Sequence, residues 1–309
     1  MASSGQPARV GVRQATPDHR PGLAIMMMLA SMLAFASMDG LSKLLVQHLA
    51  IPQILWVRYI LFTFFVAVLL RRQGLRSALQ TGQPLLQAFR ALLIIVENGL
   101  FVLAFLYMPL ADVHAIAAVS PLVVVALSVP LLGEKVGARR WLAVIAGFVG
   151  VLVIVRPGFV KMEWPVAIPL CAARVGGLYQ VLVRMCARTD SGETTWAWSA
   201  VVGLVATTLV GPFVWVWPDA RGWGLLVAIA ILGSAAHFSL IKALEYWEAG
   251  ALQPYSYTLL VWATVIGFLV FGQVPDGWTL AGAAIVIASG LYVWHRERSI
   301  AQRLERTAL

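Results

Sequence analysis

The chain has 309 residues, of which 60% are hydrophobic and only 12% charged, about half the charge of an ordinary soluble domain, ~25%. Its net charge of +9 is no nucleic-acid footprint, because the basic residues sit in short turns between apolar runs rather than on one surface. A membrane barrel is excluded as well: the runs are continuous and do not alternate with a period of two.

The apolar runs are long enough to cross a bilayer, which takes about 20 residues per helix. Ala115–Gly133, Thr194–Pro218, Ala249–Pro275 and Gly277–Trp294 contain no charged residue. In chain order the pattern predicts ten helices, at 22–46, 52–70, 84–107, 111–132, 139–155, 164–187, 193–217, 222–247, 250–273 and 277–295. Residues 1–21 read as a polar, disordered tail and 296–309 as a basic tail. With ten crossings, fifteen of the 23 Lys and Arg fall in the tails and turns of one side and three (Arg156, Lys161, Arg221) on the other. The positive-inside rule then puts both termini in the cytoplasm. Cys171 and Cys186, fifteen residues apart on one predicted helix, cannot bridge.

The chain repeats itself. An offset of 139 residues carries Ala104, Tyr107 and Gly133 onto Ala243, Tyr246 and Gly272. The two halves, 22–155 and 156–295, therefore hold five helices each. Because five is odd, the second copy enters the membrane from the opposite face. Inverted repeats of this kind mark secondary transporters, with a site near the midplane and alternating access as one half rocks against the other. The expected fold is an all-α integral membrane protein of ten transmembrane helices in two inverted five-helix repeats.

Ionisable and polar side chains in mid-membrane are the candidate site. Glu97 lies near the centre of the third helix beside Asn98, suited to a substrate amine or a coupled proton, or to a structural pair with Arg58, Arg174 or Lys43. At the 139-residue offset Asn98 maps onto His237 and His114 onto Gln253. The first pair would flank a central cavity and the second would line the two vestibules. Arg174 could take a carboxylate in a fork, or pair with Glu97; Tyr179 and Gln180 follow it. Tyr255, Tyr257 and Trp262 offer aromatic surface near Pro254. Asp39 and Lys43, four residues apart, are expected to neutralise each other. Trp196, Trp198, Trp215, Trp217 and Trp223 read as interface anchors. Small-residue stripes at Ala143, Gly147, Gly150 and at Gly282, Ala284, Ala288, Gly290 suit close helix contact, within a monomer or across a homodimer. No HExxH, GxSxG, GxxxxGK[ST] or metal-spaced Cys/His motif is present, so the sequence supports no catalytic residue, metal or cofactor.

Ser120-Pro121, Leu132-Gly133-Glu134 and the RRWLAVIAGFVGVLVIVRPG segment that follows resemble EamA-type members of the drug/metabolite transporter superfamily. Within that group the chain looks most like bacterial amino-acid exporters of the YddG type. The second copy departs from the pattern at Thr258-Leu259 and Phe271-Gly272-Gln273. The resemblance implies a bacterial inner-membrane carrier that exports aromatic or other neutral amino acids and related small metabolites. The alternatives are a drug carrier, a nucleotide-sugar carrier, which should show more midplane cations to meet phosphate where only Arg174 is well placed, and an intramembrane lipid-modifying enzyme, for which no nucleophile or carboxylate pair is evident.

Overall fold

The computed structural model describes residues 20–71, 74–133, 138–155, 164–246, 252 and 255–308. The expected N-terminal tail, the turn at Glu134 and Lys135, and Gln253 with Pro254 lie outside the described residues. Helices α1 (Pro21–Leu45), α2 (Ile51–Leu69), a short α3 (Leu75–Ala78) and α4 (Pro84–Tyr107) come first. They are followed by α5 (Leu110–Ala117), α6 (Ser120–Leu132) and α7 (Ala138–Val155). The second half holds α8 (Ala167–Cys186), α9 (Gly192–Thr208), α10 (Ala220–Tyr246), α11 (Thr258–Phe271) and α12 (Gly277–Ala308). Among the described residues, six segments are long and apolar enough to span a membrane, including Leu110–Leu132 taken across α5 and α6, and three shorter apolar helices accompany them.

Three predicted elements come out differently. The expected fourth helix is broken at Ala118–Val119, because Pro121 has no N–H to donate to the carbonyl one turn earlier. The expected seventh helix stops at Thr208 and gives way to a 3-10 turn at Gly211–Val214, since Pro212 has no N–H with which to continue the α-helical ladder. The tenth runs on through the basic tail to Ala308, where no Gly or Pro interrupts it.

The repeat is visible in the backbone. Gly133 ends α6 and Gly272 ends α11 with the same left-handed conformation, φ 69° and 64°. That conformation is open to glycine at little cost and lets the last turn close on its own carbonyls. Helix packing obeys the same symmetry. Contact of α1 with α10 matches that of α4 with α8; α1 with α11 matches α6 with α8; and α4 with α9 matches α2 with α10. The pairs α2–α9, α5–α11 and α7–α12 map onto themselves.

Every one of these contacts joins a helix of the first half to one of the second. The halves are therefore interlaced and cannot rock against each other as separate bodies, as the repeat alone suggested. The packing units are α1–α10–α11 and α4–α6–α8, each drawn from both halves. The small-residue stripes meet inside the monomer: Gly150 and Gly282 bring α7 and α12 together at backbone distance.

Candidate functional site

Between α2, α4, α8, α9 and α10 lies a cavity of about 70 Å3. Its lining follows helical spacing. Helix α2 contributes Arg58, Tyr59 and Phe62; α4 contributes Ile94 and Asn98; α10 contributes Ala230, Gly233, Ser234 and His237. Tyr179 comes from α8, and Trp196 and Ser199 from α9. The lining is itself two-fold. Ile94 with Gly233 and Asn98 with His237 are partners at the 139-residue offset, and Tyr59 with Trp196 and Phe62 with Ser199 at an offset of 137. The cavity therefore sits where the two repeats meet.

Its polar groups are oriented. The carbonyl of Gly233 can only accept, so the His237 Nδ1 facing it at 2.9 Å carries the proton. In the neutral ring Nε2 is then a free acceptor. The imidazole is held edge-on by Phe35, with ring centroids 4.9 Å apart, and packs against Phe62. Arg58 brings a guanidinium and Asn98 an amide. The volume equals that of two or three waters, while a vitamin-sized ligand needs roughly 300 Å3 or more. Loading such a ligand thus requires the surrounding helices to move apart.

A second polar layer backs the cavity. Arg90 is fully buried and donates to Gln87 Oε1 (3.1 Å), Ser199 Oγ (3.1 Å) and the Thr195 carbonyl (2.8 Å). It also lies over the Tyr179 ring, 5.7 Å from its centroid. Gln87 in turn donates to Asp190 Oδ2 (2.7 Å), which also accepts from Thr81 (2.5 Å). Arg90 thereby fixes two lining residues, Tyr179 and Ser199.

Of the residues singled out in the sequence, Asn98, Tyr179 and His237 line this cavity. Glu97 turns towards α8, where its carboxyl occupies the space that a Cβ on Gly176 would fill. Arg174 is exposed on α8. Tyr255 packs with Met28, Met32 and Ala243, and the Tyr257 hydroxyl lies against Gly290 of α12. His114 is buried rather than lining a vestibule: its Nε2 is 3.2 Å from Asp39 Oδ2, and its ring stacks on Phe101.

That pairing overturns the expected Asp39–Lys43 couple. Lys43 instead donates to the carbonyl oxygens of Phe105 (2.7 Å) and Met108, at the end of α4. Those carbonyls have no partner within their own helix, so a cation there is favoured. Gln273 Oε1 accepts from the Leu110 N–H beside them (3.4 Å). Together these bonds tie α1, α4, α5 and the end of α11 at one end of the bundle.

Trp196, expected to be an interface anchor, faces the cavity, whereas Trp215 packs with Trp56, Trp217 and Trp223. Arg58, Tyr59, Trp196, Ser199 and Arg90 were not picked out as site residues. The repeat offset shifts by two residues between helix pairs, which hid the Tyr59–Trp196 correspondence.

Comparison with known proteins agrees with this architecture. The EamA-like transporter family matches twice, over residues 22–156 and 164–294. A riboflavin transporter of Vibrio cholerae is 27% identical over 92% of this chain and 98% of its own length. An S-adenosylmethionine uptake transporter of Rickettsia prowazekii is 24% identical over 87% and 92%. A pseudopaline exporter of Pseudomonas aeruginosa is 27% identical over 82% and 90%. One solved crystal structure superposes with a TM-score of 0.61 at 17% identity, over 88% of this chain and 96% of that chain.

Proposed function

Because the chain belongs to the EamA-like transporter family, we propose that its central cavity carries a small metabolite bearing both a carboxylate and a planar ring. The protein is a multi-pass membrane transporter of small molecules and not an enzyme. Arg58 carries the finer reading. Its guanidinium borders the cavity and has no carboxylate partner among the described residues, a costly arrangement in mid-membrane unless an anion completes it. Tyr59, Phe62, Tyr179 and Trp196 surround it with ring surface. Aromatic and other neutral amino acids are the simplest compounds of this description. The distribution of Lys and Arg supports an inner-membrane orientation with both termini cytoplasmic, and the name of the Pseudomonas relative, an exporter, favours outward movement. A sugar nucleotide fits less well, since among the described residues Arg58 is the one Lys or Arg in the cavity lining.

A second reading rests on a different observation. The Asn98 amide and His237 Nε2 offer a donor and an acceptor across one edge, which suits the polar rim of a neutral heteroaromatic ring. The names of the Vibrio and Rickettsia relatives, riboflavin and S-adenosylmethionine, favour that ring.

Counterflow in proteoliposomes with labelled phenylalanine, S-adenosylmethionine and riboflavin tests both readings. A carboxylate-bearing probe should exchange, and Arg58→Ala should slow it at least tenfold, the equivalent of ~1.4 kcal/mol. Riboflavin exchange that is indifferent to Arg58→Ala would favour the neutral-ring reading. Exchange of none of the three would overturn both.

A further inference from the structure

Gly203 of α9 makes room for one wall of the cavity. A Cβ added there would come within 2.2 Å of Tyr59 Cε1 and 2.3 Å of Cδ1, so the edge of the Tyr59 ring is seated on bare backbone. The ring is also held elsewhere. Phe62 meets it edge-on, with centroids 6.2 Å apart, and the Tyr59 hydroxyl meets the Asn98 side chain. The helices that carry the pair are tied on both sides of it. One turn before Tyr59, Trp56 Nε1 donates to Thr208 Oγ1 (2.9 Å); one turn after it, Thr63 Oγ1 donates to the Ala200 carbonyl (3.1 Å). Helices α2 and α9 therefore cannot part to admit a larger side chain without breaking those bonds, and the ring is the part that gives. The repeat supplies a comparison within one molecule. At the 137-residue offset Gly203 corresponds to Val66, and Tyr59 to Trp196. Val66 is buried with Ala197 and Ala200 and leaves no notch in α2. Trp196 is only half-buried where Tyr59 is buried. Of two matched rings lining the cavity, the one with a glycine opposite is recessed.

We propose that Gly203 is a positioning residue that sets substrate specificity: by letting Tyr59 recede, it fixes the largest ring system that the cavity accepts. The proposal rests on the reading that this cavity holds the substrate. Gly203 acts only through Tyr59. A methyl group at position 203 drives the ring away from α9 and towards the cavity, because a packed interior has no slack on the other sides. The cavity measures about 70 Å3, so even a small advance of one wall takes a sizeable share of it. A compound with a short side chain does not use the recess and keeps its fit. A compound with a ring meets the advanced wall, and a mismatch of about one carbon in such a pocket is worth about tenfold or more.

Two measurements on the full-length protein test this. The first reads the seat without any substrate, by thermal unfolding in detergent. Alanine is a better helix former than glycine, so at an unobstructed position in α9 it should raise the midpoint. Gly203→Ala should instead lower the midpoint in the wild-type chain and raise it in a chain carrying Tyr59→Ala, a reversal of sign that marks direct contact. The same sign in both backgrounds overturns the seat. The second is counterflow in proteoliposomes with labelled alanine, phenylalanine and riboflavin. Gly203→Ala should slow phenylalanine by about tenfold relative to alanine and riboflavin by more, with alanine flux within about twofold of the wild type. Tyr59→Leu in the same chain, which removes the ring edge, should restore the ratio. If riboflavin alone exchanges, its own fall in Gly203→Ala and its recovery with Tyr59→Leu are the criterion. An equal fall for every probe without recovery marks a packing defect, and an unchanged ratio marks an idle position; either overturns the proposal. Exchange of none of the three by the wild type overturns the substrate reading and the size limit with it, while the unfolding result still decides the seat.

Discussion

The backbones of Gly150 and Gly282 are in contact. A Cβ added to Gly150 would stand 2.9 Å from the Gly282 carbonyl oxygen, and one added to Gly282 would stand 2.5 Å from the Gly150 carbonyl oxygen. Neither obstacle is a flexible side chain, so α7 and α12 must separate to admit even a methyl group. Gly282→Ala should cost about 1–3 kcal/mol, the usual range for overpacking, and Gly282→Leu more. Thermal unfolding in detergent measures both. An unchanged midpoint for Gly282→Leu would mean that α7 and α12 do not pack as described.

Asn98 and His237 occupy matched positions of the two repeats and face one cavity. Replacing either with Ala removes a group worth roughly 1–3 kcal/mol if it bonds the substrate. Counterflow of the transported probe should therefore fall about tenfold or more in each variant, with chromatographic behaviour and thermal midpoint close to wild type. Normal flux in both variants would remove them from the site.

Arg90 is a positioning residue. Lysine in its place keeps the charge and loses the fork that reaches Gln87, Ser199 and Thr195 together. Arg90→Lys is expected to lose about 2 kcal/mol of stability and Arg90→Ala more, because Gln87 and Asp190 are then left with an incomplete network. Asp190→Asn should lower the midpoint in the same direction, since its Oδ2 receives two of the bonds.

Lys43 closes one end of the bundle by bonding the last carbonyls of α4. In a background with Cys171 replaced by Ser, a cysteine introduced by Leu110→Cys should resist maleimide, because Leu110 is fully buried. Adding Lys43→Ala should raise its labelling rate about tenfold, corresponding to a shift of ~1.4 kcal/mol towards the open state. Adding Asp39→Asn, which weakens the pair with His114, should act in the same sense. Labelling that is as slow in both variants as in the parent would show that these bonds do not hold the end shut.

Membrane residence, the all-α class and the internal repeat were legible because each is a one-dimensional property. Hydrocarbon thickness sets the length of an apolar run, and duplication leaves a constant offset such as that between Gly133 and Gly272. The same reasoning found Asn98 and His237, since an offset pairs residues at mirrored depths. Partners were a different matter. Spacing of four residues brought Asp39 and Lys43 together on paper, but His114 reaches Asp39 from α5 and Lys43 is drawn to the end of α4. Trp196 looked like an anchor because aromatic residues near helix ends usually are, yet α9 turns it inward.

The amino-acid sequence by itself determined a polytopic bundle of two related halves with a polar centre, because burying apolar length and satisfying backbone bonds in lipid leave few other solutions. Which helices lie side by side was decided only in three dimensions. The interlacing of the halves, the meeting of Arg58 with four aromatic rings and the seating of Glu97 on Gly176 all depend on how helix faces rotate against one another. That rotation follows from the summed packing of many side chains across different helices, to which no local stretch of chain is privy.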